Sequence, residues 1–108
     1  AIAYHIDTAL VFAEGFDAQS FCDDLRTCYA VTRCLEIISE ASRRLPDNLK
    51  ARHPHIAWKE MAGAGNVYRH DYEDVSASYV WVTVQNDFRP LRLVIAAEQA
   101  ILEAASDS

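Results

Sequence analysis

Tyr79-Val80-Trp81-Val82-Thr83-Val84 is the one run in this chain whose β-branched and aromatic composition suits a strand. Its reading decides the fold. The run does not alternate apolar with polar residues, and no second strand candidate exists to pair with it. Read as helix, it continues one apolar spacing through Val80 and Val84 as far as Pro90. Pro90 is expected to impose a junction or kink before a last helix through Leu91, Val94, Ile95, Glu98 and Leu102.

The rest of the chain agrees with helix. Ile2, Ile6, Ala9, Leu10 and Ala13 recur at helical spacing up to Gly15, which suits a helix end. Asp17 can cap a short segment from Ala18 to about Cys22, and Asp23 or Asp24 can open a longer helix that stops near Pro46. Along it, Leu25, Cys28, Val31, Leu35, Ile38, Ser42 and Leu45 follow at steps of three or four, the stripe a bundle helix needs. The opposite face carries Arg33, Glu36, Glu40 and Arg44, with Glu40 four residues before Arg44 in the favoured order for a helical ion pair. Asp47 is expected to cap a short turn through Arg52, broken by Pro54. A further helix is predicted from near Ile56, carrying Trp58, Met61, Gly65, Tyr68 and Tyr72. Gly63 and Gly65 inside it would each cost about 0.5 to 1 kcal/mol relative to alanine, which points to close packing against another helix or to a local break. The expected architecture is all-α, an antiparallel bundle of about four to five helices forming one domain over residues 1–108.

Composition narrows the function. The 108 residues are 51% hydrophobic with a formal net charge of −6, which argues against broad affinity for nucleic acid. The charge is uneven: residues 43–70 hold six Lys and Arg against two Asp and Glu, whereas the segments on either side each hold two against seven. Such a basic patch can hold a phosphate locally but would not grip a long duplex. No run of eighteen apolar residues and no secretory signal is present, so a cytoplasmic protein with no membrane span is expected. The chain starts at Ala1 without a methionine, which leaves room for residues trimmed ahead of the first helix. Cys22, Cys28 and Cys34, spaced six apart without a CxxC or Cys-His pairing, read as free thiols. His53 and His55 flank Pro54 without a nearby carboxylate in sequence, and neither Glu-x-x-His nor His-Glu-x-x-His occurs, so no metal and no cofactor is expected. Phosphate-cradling glycine loops and nucleophile elbows are absent too, the only glycines being Gly15, Gly63 and Gly65.

The chemistry concentrates in Asn66-Val67-Tyr68-Arg69-His70-Asp71-Tyr72, read as about two turns of helix. From the residues alone, His70 is either a hydrogen-bonded structural histidine or a proton-transfer group. Tyr72 serves equally well as a core or interface aromatic. Asp71 can orient an imidazole or cap the next segment, and Asn66, four residues before His70, would share its helix face.

Four segments together carry a family resemblance: Arg33-Cys34-Leu35-Glu36-Ile37-Ile38-Ser39-Glu40-Ala41, Trp58-Lys59-Glu60-Met61-Ala62-Gly63, Asn66 with His70-Asp71-Tyr72, and Trp81 to Asp87. In order and spacing they resemble the HepT-like branch of the HEPN domain superfamily over nearly the whole chain. The resemblance implies a small all-α homodimer, the toxin half of a toxin-antitoxin pair, cleaving RNA without a metal and regulated by a nucleotidyltransferase partner that transfers AMP to a tyrosine. The family motif is an arginine, four to six residues, a histidine, one residue and a tyrosine. Carried over, the histidine is His70 and the tyrosine is Tyr72, the modification site. The arginine belongs at Gly65, Ala64 or Gly63, and none of these is arginine.

In metal-free RNA cleavage a base takes the proton of the ribose 2′-OH, the oxygen attacks phosphorus, and a cation stabilises the charge growing on the phosphate. Histidine suits the first role and arginine the second. With its arginine missing, the motif leaves Arg69 as the nearest substitute, about 100° around a helix from His70. Three readings stay open: a ribonuclease toxin using His70 and Arg69; a degenerate member that keeps the fold, the dimer and the nucleotidyltransferase partner but not cleavage; and a helical dimer that docks an unrelated protein.

Overall fold

A computed structural model describes residues 1–66 and 73–106. Within them the fold is all-α, with six helices where about four to five were expected: α1 (Ile2–Ala13), α2 (Ala18–Asp23), α3 (Leu25–Arg43), α4 (Asp47–Arg52), α5 (Trp58–Gly63) and α6 (Glu73–Ser106). Three of the six, α2, α4 and α5, are short helices of six residues beside three long ones. No strand occurs among the described residues.

The decisive run is helical. Val80, Thr83 and Val84 are buried on one face of α6, Trp81 packs its ring 5.2 Å from that of Phe21 on α2, and only Val82 faces outward, 53% exposed. The run lacks strand alternation because it is covered on two sides by different helices. Pro90 does not end α6, correcting the expected junction, and the reason lies in which face it occupies. Pro90 and Asn86 are exposed, so the carbonyl that loses its donor meets solvent, while Phe88 and Leu91, turned away from them around the helix, stay buried.

Three long helices make the core. α1 contributes Ile2, Ile6, Ala9 and Ala13, α3 contributes Cys28, Val31, Cys34, Leu35 and Ile38, and α6 contributes Ala77, Val80, Val84, Phe88 and Leu91. Gly15 ends α1 with φ +84°, a conformation that favours glycine. Asp17 caps α2 through the backbone N–H of Ser20, and Asp24 caps α3 through that of Thr27. The expected α3 stripe is buried from Cys28 to Ser42; Leu25 in the first turn is 54% exposed, and Leu45, beyond the helix end, is half-buried. Cys28 and Cys34 are buried and Cys22 half-buried, all as free thiols.

α4 buries none of its residues. Asp47 begins the helix instead of capping it, and Pro46 takes the cap position. Polar contacts hold it: Lys50 Nζ donates to the Arg43 carbonyl, and the Trp58 indole donates to the carbonyls of Lys50 and His53. Arg52 and His53 both reach Glu98 on α6. α6 at 34 residues would span about 51 Å, and the molecule's long axis is 50 Å, so this one helix sets its length. No described helix is long and apolar enough to cross a membrane.

Candidate functional site

α5 stops at Gly63, two residues before Gly65, so the helix expected to run from Ile56 to Tyr72 breaks where its glycines allowed. Gly65 and Asn66 lie in the turn that follows. A Cβ at position 65 would come within 3.1 Å of the Glu36 Cα and the Ser39 Cβ, and 3.2 Å of the Ser39 Oγ. Ordinary carbon contacts lie at about 3.5 to 4.0 Å. A side chain at position 65 would need the turn or α3 to give by a few tenths of an ångström, so this close approach favours glycine there.

Asn66 is half-buried, and its backbone N–H donates to the Gly63 carbonyl at 3.1 Å. It follows the end of α5, and the helix face expected to join it to His70 involves residues outside those described. Arg69, His70, Asp71 and Tyr72 lie outside the described residues.

What surrounds the turn is well defined. Glu36, Ser39, Glu40, Arg43, Gly65 and Asn66 line a shallow cavity of about 140 Å³. Arg43, the last residue of α3, donates from Nε to the Ala62 carbonyl at 3.1 Å and from Nη1 to Glu40 Oε2 at 3.1 Å. The first of these satisfies a carbonyl at the open end of α5 and fixes where the turn begins. Glu40 also accepts from Arg44 at 3.1 Å, the ion pair expected from spacing, so one carboxylate serves two guanidinium groups. Arg33 pairs with Glu36 at 3.7 Å. Arg33 and Arg44 stand outside the cavity lining, which carries Arg43 against Glu36 and Glu40, and each ion pair is solvent-exposed and individually weak. The Ser39 hydroxyl is buried beneath Gly65 without a partner among the described residues.

On the other side of α5 lies a larger groove of about 450 Å³ between α5 and α6. Glu60 and Asp87 line it with His55 and no lysine or arginine, and burial pushes the Asp87 carboxyl upward in pKa. A groove with these walls repels phosphate. Arg43 is the one arginine or lysine lining either of these two concavities.

A second polar cluster escaped the sequence reading. Glu98, 7% exposed, accepts from Arg52 Nε at 3.2 Å and meets His53 Nε2 at 2.6 Å, while the His53 ring lies edge-on to that of His55 at 5.9 Å. Arg52 and His53 hold the Glu98 carboxyl at a pKa of about 2. The carboxylate that the two loop histidines lacked in sequence is supplied in space from 45 residues away. The cluster joins α4 to α6 and fastens the bundle. Among the described residues no three His, Cys, Asp or Glu side chains gather as metal ligands.

Comparison with known proteins adds the family. The profile of the HepT-like ribonucleases matches residues 2–98. A relative named as a ribonuclease HepT in Thermococcus cleftensis is 37% identical over 91 residues, covering 84% of this chain and 83% of its own. Two relatives named as RNases in Methanocaldococcus jannaschii are 32% and 31% identical over 91 residues, covering 84% of this chain and 78% and 75% of theirs. No solved structure matches the chain.

Proposed function

Because the chain belongs to the HepT-like ribonuclease family, we propose that it is an RNA endonuclease that works without a metal, acting in the cytoplasm as a homodimer and as the toxin half of a toxin-antitoxin pair. The observation that carries this reading is the family match over residues 2–98, which takes in the bundle, the turn at Gly65 and the His70-x-Tyr72 spacing together.

His70 serves as the base that takes the 2′-OH proton, its ordinary pKa of about 6.5 keeping both forms populated near neutrality. The 2′-oxygen attacks the adjacent phosphorus, the bond to the 5′-oxygen breaks, and that oxygen leaves with a proton. The product carries a 2′,3′-cyclic phosphate. Arg69 is the cation nearest to His70 in sequence. Asn66 and Asp71 support the site by hydrogen bonding. Tyr72 is the position at which a nucleotidyltransferase antitoxin attaches AMP, adding a bulky, negatively charged group two residues from His70 that would exclude RNA by sterics and repulsion.

One observation favours a second reading. None of residues 63–65 is the family's arginine, and losing such a donor costs about 100-fold to 1,000-fold in rate. A degenerate member would keep the fold and the antitoxin partner and no longer cut.

RNA cleavage by the wild type, His70→Ala and Arg69→Ala in the presence of a chelator tests the first reading against the second. The ribonuclease reading expects chelator-resistant activity that His70→Ala abolishes. Inactive wild type whose Tyr72 is unmodified by mass spectrometry leaves the degenerate reading standing.

A further inference from the structure

We propose that the cleft between the end of α1 and the middle of α6 is a nucleobase subsite, where one base of a single-stranded RNA stacks on Trp81. The inference rests on the ribonuclease reading above and deepens it by naming a place where the substrate's bases are held.

Trp81, Gln85 and Arg89 follow one another at steps of four along α6, so they share a face and span about 12 Å. The end of α1 and the turn Glu14-Gly15-Phe16 line the same cavity, which measures about 430 Å³. Small-molecule sites commonly measure about 300 to 1,000 Å³. The turn is not pressed on its surroundings, since a Cβ at Gly15 would meet nothing within 4 Å.

The walls offer what a base needs. Trp81 is half-buried and braced by Phe21, their ring centroids 5.2 Å apart, and it also lines the cavity. An indole held in this way loses little freedom when a ring stacks on it. Phe16, also half-buried, adds a second aromatic surface. Among the described residues the Trp81 indole N–H, the Gln85 amide, the Arg89 guanidinium and the Glu14 carboxylate have no hydrogen-bond or ion-pair partner. Together they present donors and acceptors to the edge of a flat ring. One arginine against one glutamate leaves the lining neutral, which suits an uncharged base and gives a phosphate no net attraction. Single-stranded RNA is recognised through bases that stack on aromatic side chains and arginine planes and bond along their edges. In a chain of net charge −6, stacking supplies affinity that a general attraction for phosphate does not.

The test measures binding of a labelled single-stranded 2′-O-methyl oligoribonucleotide, which has no 2′-OH to react, and of the same strand made abasic. The variants are Trp81→Leu, Trp81→Phe, Gln85→Ala, Arg89→Gln and, as a control at an exposed position outside the cavity, Arg26→Gln, each first checked for wild-type thermal unfolding. Trp81→Leu is expected to weaken binding of the base-bearing strand by about 5-fold to 100-fold, and Trp81→Phe by less because it keeps a ring. Arg89→Gln should weaken it by about tenfold, and Arg26→Gln should bind like wild type. The abasic strand should bind wild type and Trp81→Leu alike, with one slope of log K against log salt, because the contact is to a base and not to phosphate. If Trp81→Leu does not fold, Gln85→Ala and Arg89→Gln, both at exposed positions, carry the test. No binding by wild type, equal binding by wild type and the folded variants, or an equal loss on the abasic strand overturns the subsite. If Arg89→Gln binds RNA normally but loses a nucleotidyltransferase partner, the cleft is a protein-docking surface and the subsite is again overturned. Cleavage of natural RNA is scored separately. Trp81-dependent binding without cleavage sinks the ribonuclease reading and leaves the subsite standing, whereas cleavage with binding unchanged in every variant does the reverse.

Discussion

Gly65→Ala is the sharpest probe of how the turn is built. The added methyl would sit 3.1 Å from both the Glu36 Cα and the Ser39 Cβ and 3.2 Å from the Ser39 Oγ. Relief to ordinary contact requires the turn or α3 to give by about 0.5 Å. The Glu36 atom is backbone, so a side-chain rotation cannot supply that movement. Overpacking of this kind costs about 1 to 3 kcal/mol. Against it, replacing glycine lowers the entropy of the unfolded chain and stabilises by about 0.4 to 1 kcal/mol, since Gly65 does not occupy the left-handed region. The expected balance is a loss of about 1 to 2 kcal/mol, or about 5 to 10 °C in Tm for a chain of this size. Urea unfolding followed by circular dichroism should give a lower midpoint with an unchanged slope. Ser39→Gly removes two of the three crowding atoms, so combining it with Gly65→Ala should cost less than the two changes taken separately. Wild-type stability in Gly65→Ala, together with an additive double variant, would refute the close approach.

Other outcomes follow from the same structure. Glu98 titrates near pH 2 when folded, below its ordinary 4.5, so its contribution is complete above pH 4.5 and is lost as pH falls towards 2. Thermal melts between pH 6 and 2.5 should show Glu98→Gln less stable than wild type at the upper end, with the gap narrowing as the pH drops; a constant gap would contradict the clamp. Phe88 is fully buried in the main core, and Phe88→Ala should lose about 3 to 5 kcal/mol in denaturant unfolding; a loss under about 1 kcal/mol would contradict that packing. Burial raises the pKa of the Cys28 and Cys34 thiols, whereas Cys22 is only half-buried, so a thiol reagent on the native protein should label Cys22 first. Cys28 and Cys34 should react at the rate of unfolding, and prompt labelling of all three would count against the packing of α3.

The fold was legible where one helix face meets one core. The α1 and α3 stripes, the stop at Gly15 and the caps Asp17 and Asp24 are local signals, and the structure keeps them. Tyr79–Val84 was decided by the lack of any strand to pair with it, which is a property of the whole chain. The misplaced boundaries came from spacing that imitates a helix. Trp58, Met61 and Gly65 fall at steps of three and four, but Gly65 is small because it touches α3, a contact 26 residues away in sequence that no local pattern reveals. Pro90 misled in the opposite sense, because whether a proline ends a helix depends on which face meets solvent. Glu98 sat at an apolar spacing and reads as core until Arg52 and His53 are seen beside it. The importance of the Gly65 neighbourhood was visible from the motif, whereas the presence of Arg43 there depends on how α3 ends against α5.

The Glu98 clamp also has a topological meaning. By joining residues 52 and 53 to residue 98 it closes the backbone into a ring of some 45 residues, and α5, the Gly65 turn and most of α6 lie on that ring. A ring does not unravel from an end. α1 and the exposed last turns of α6 lie off the ring, so fraying there leaves the circuit closed.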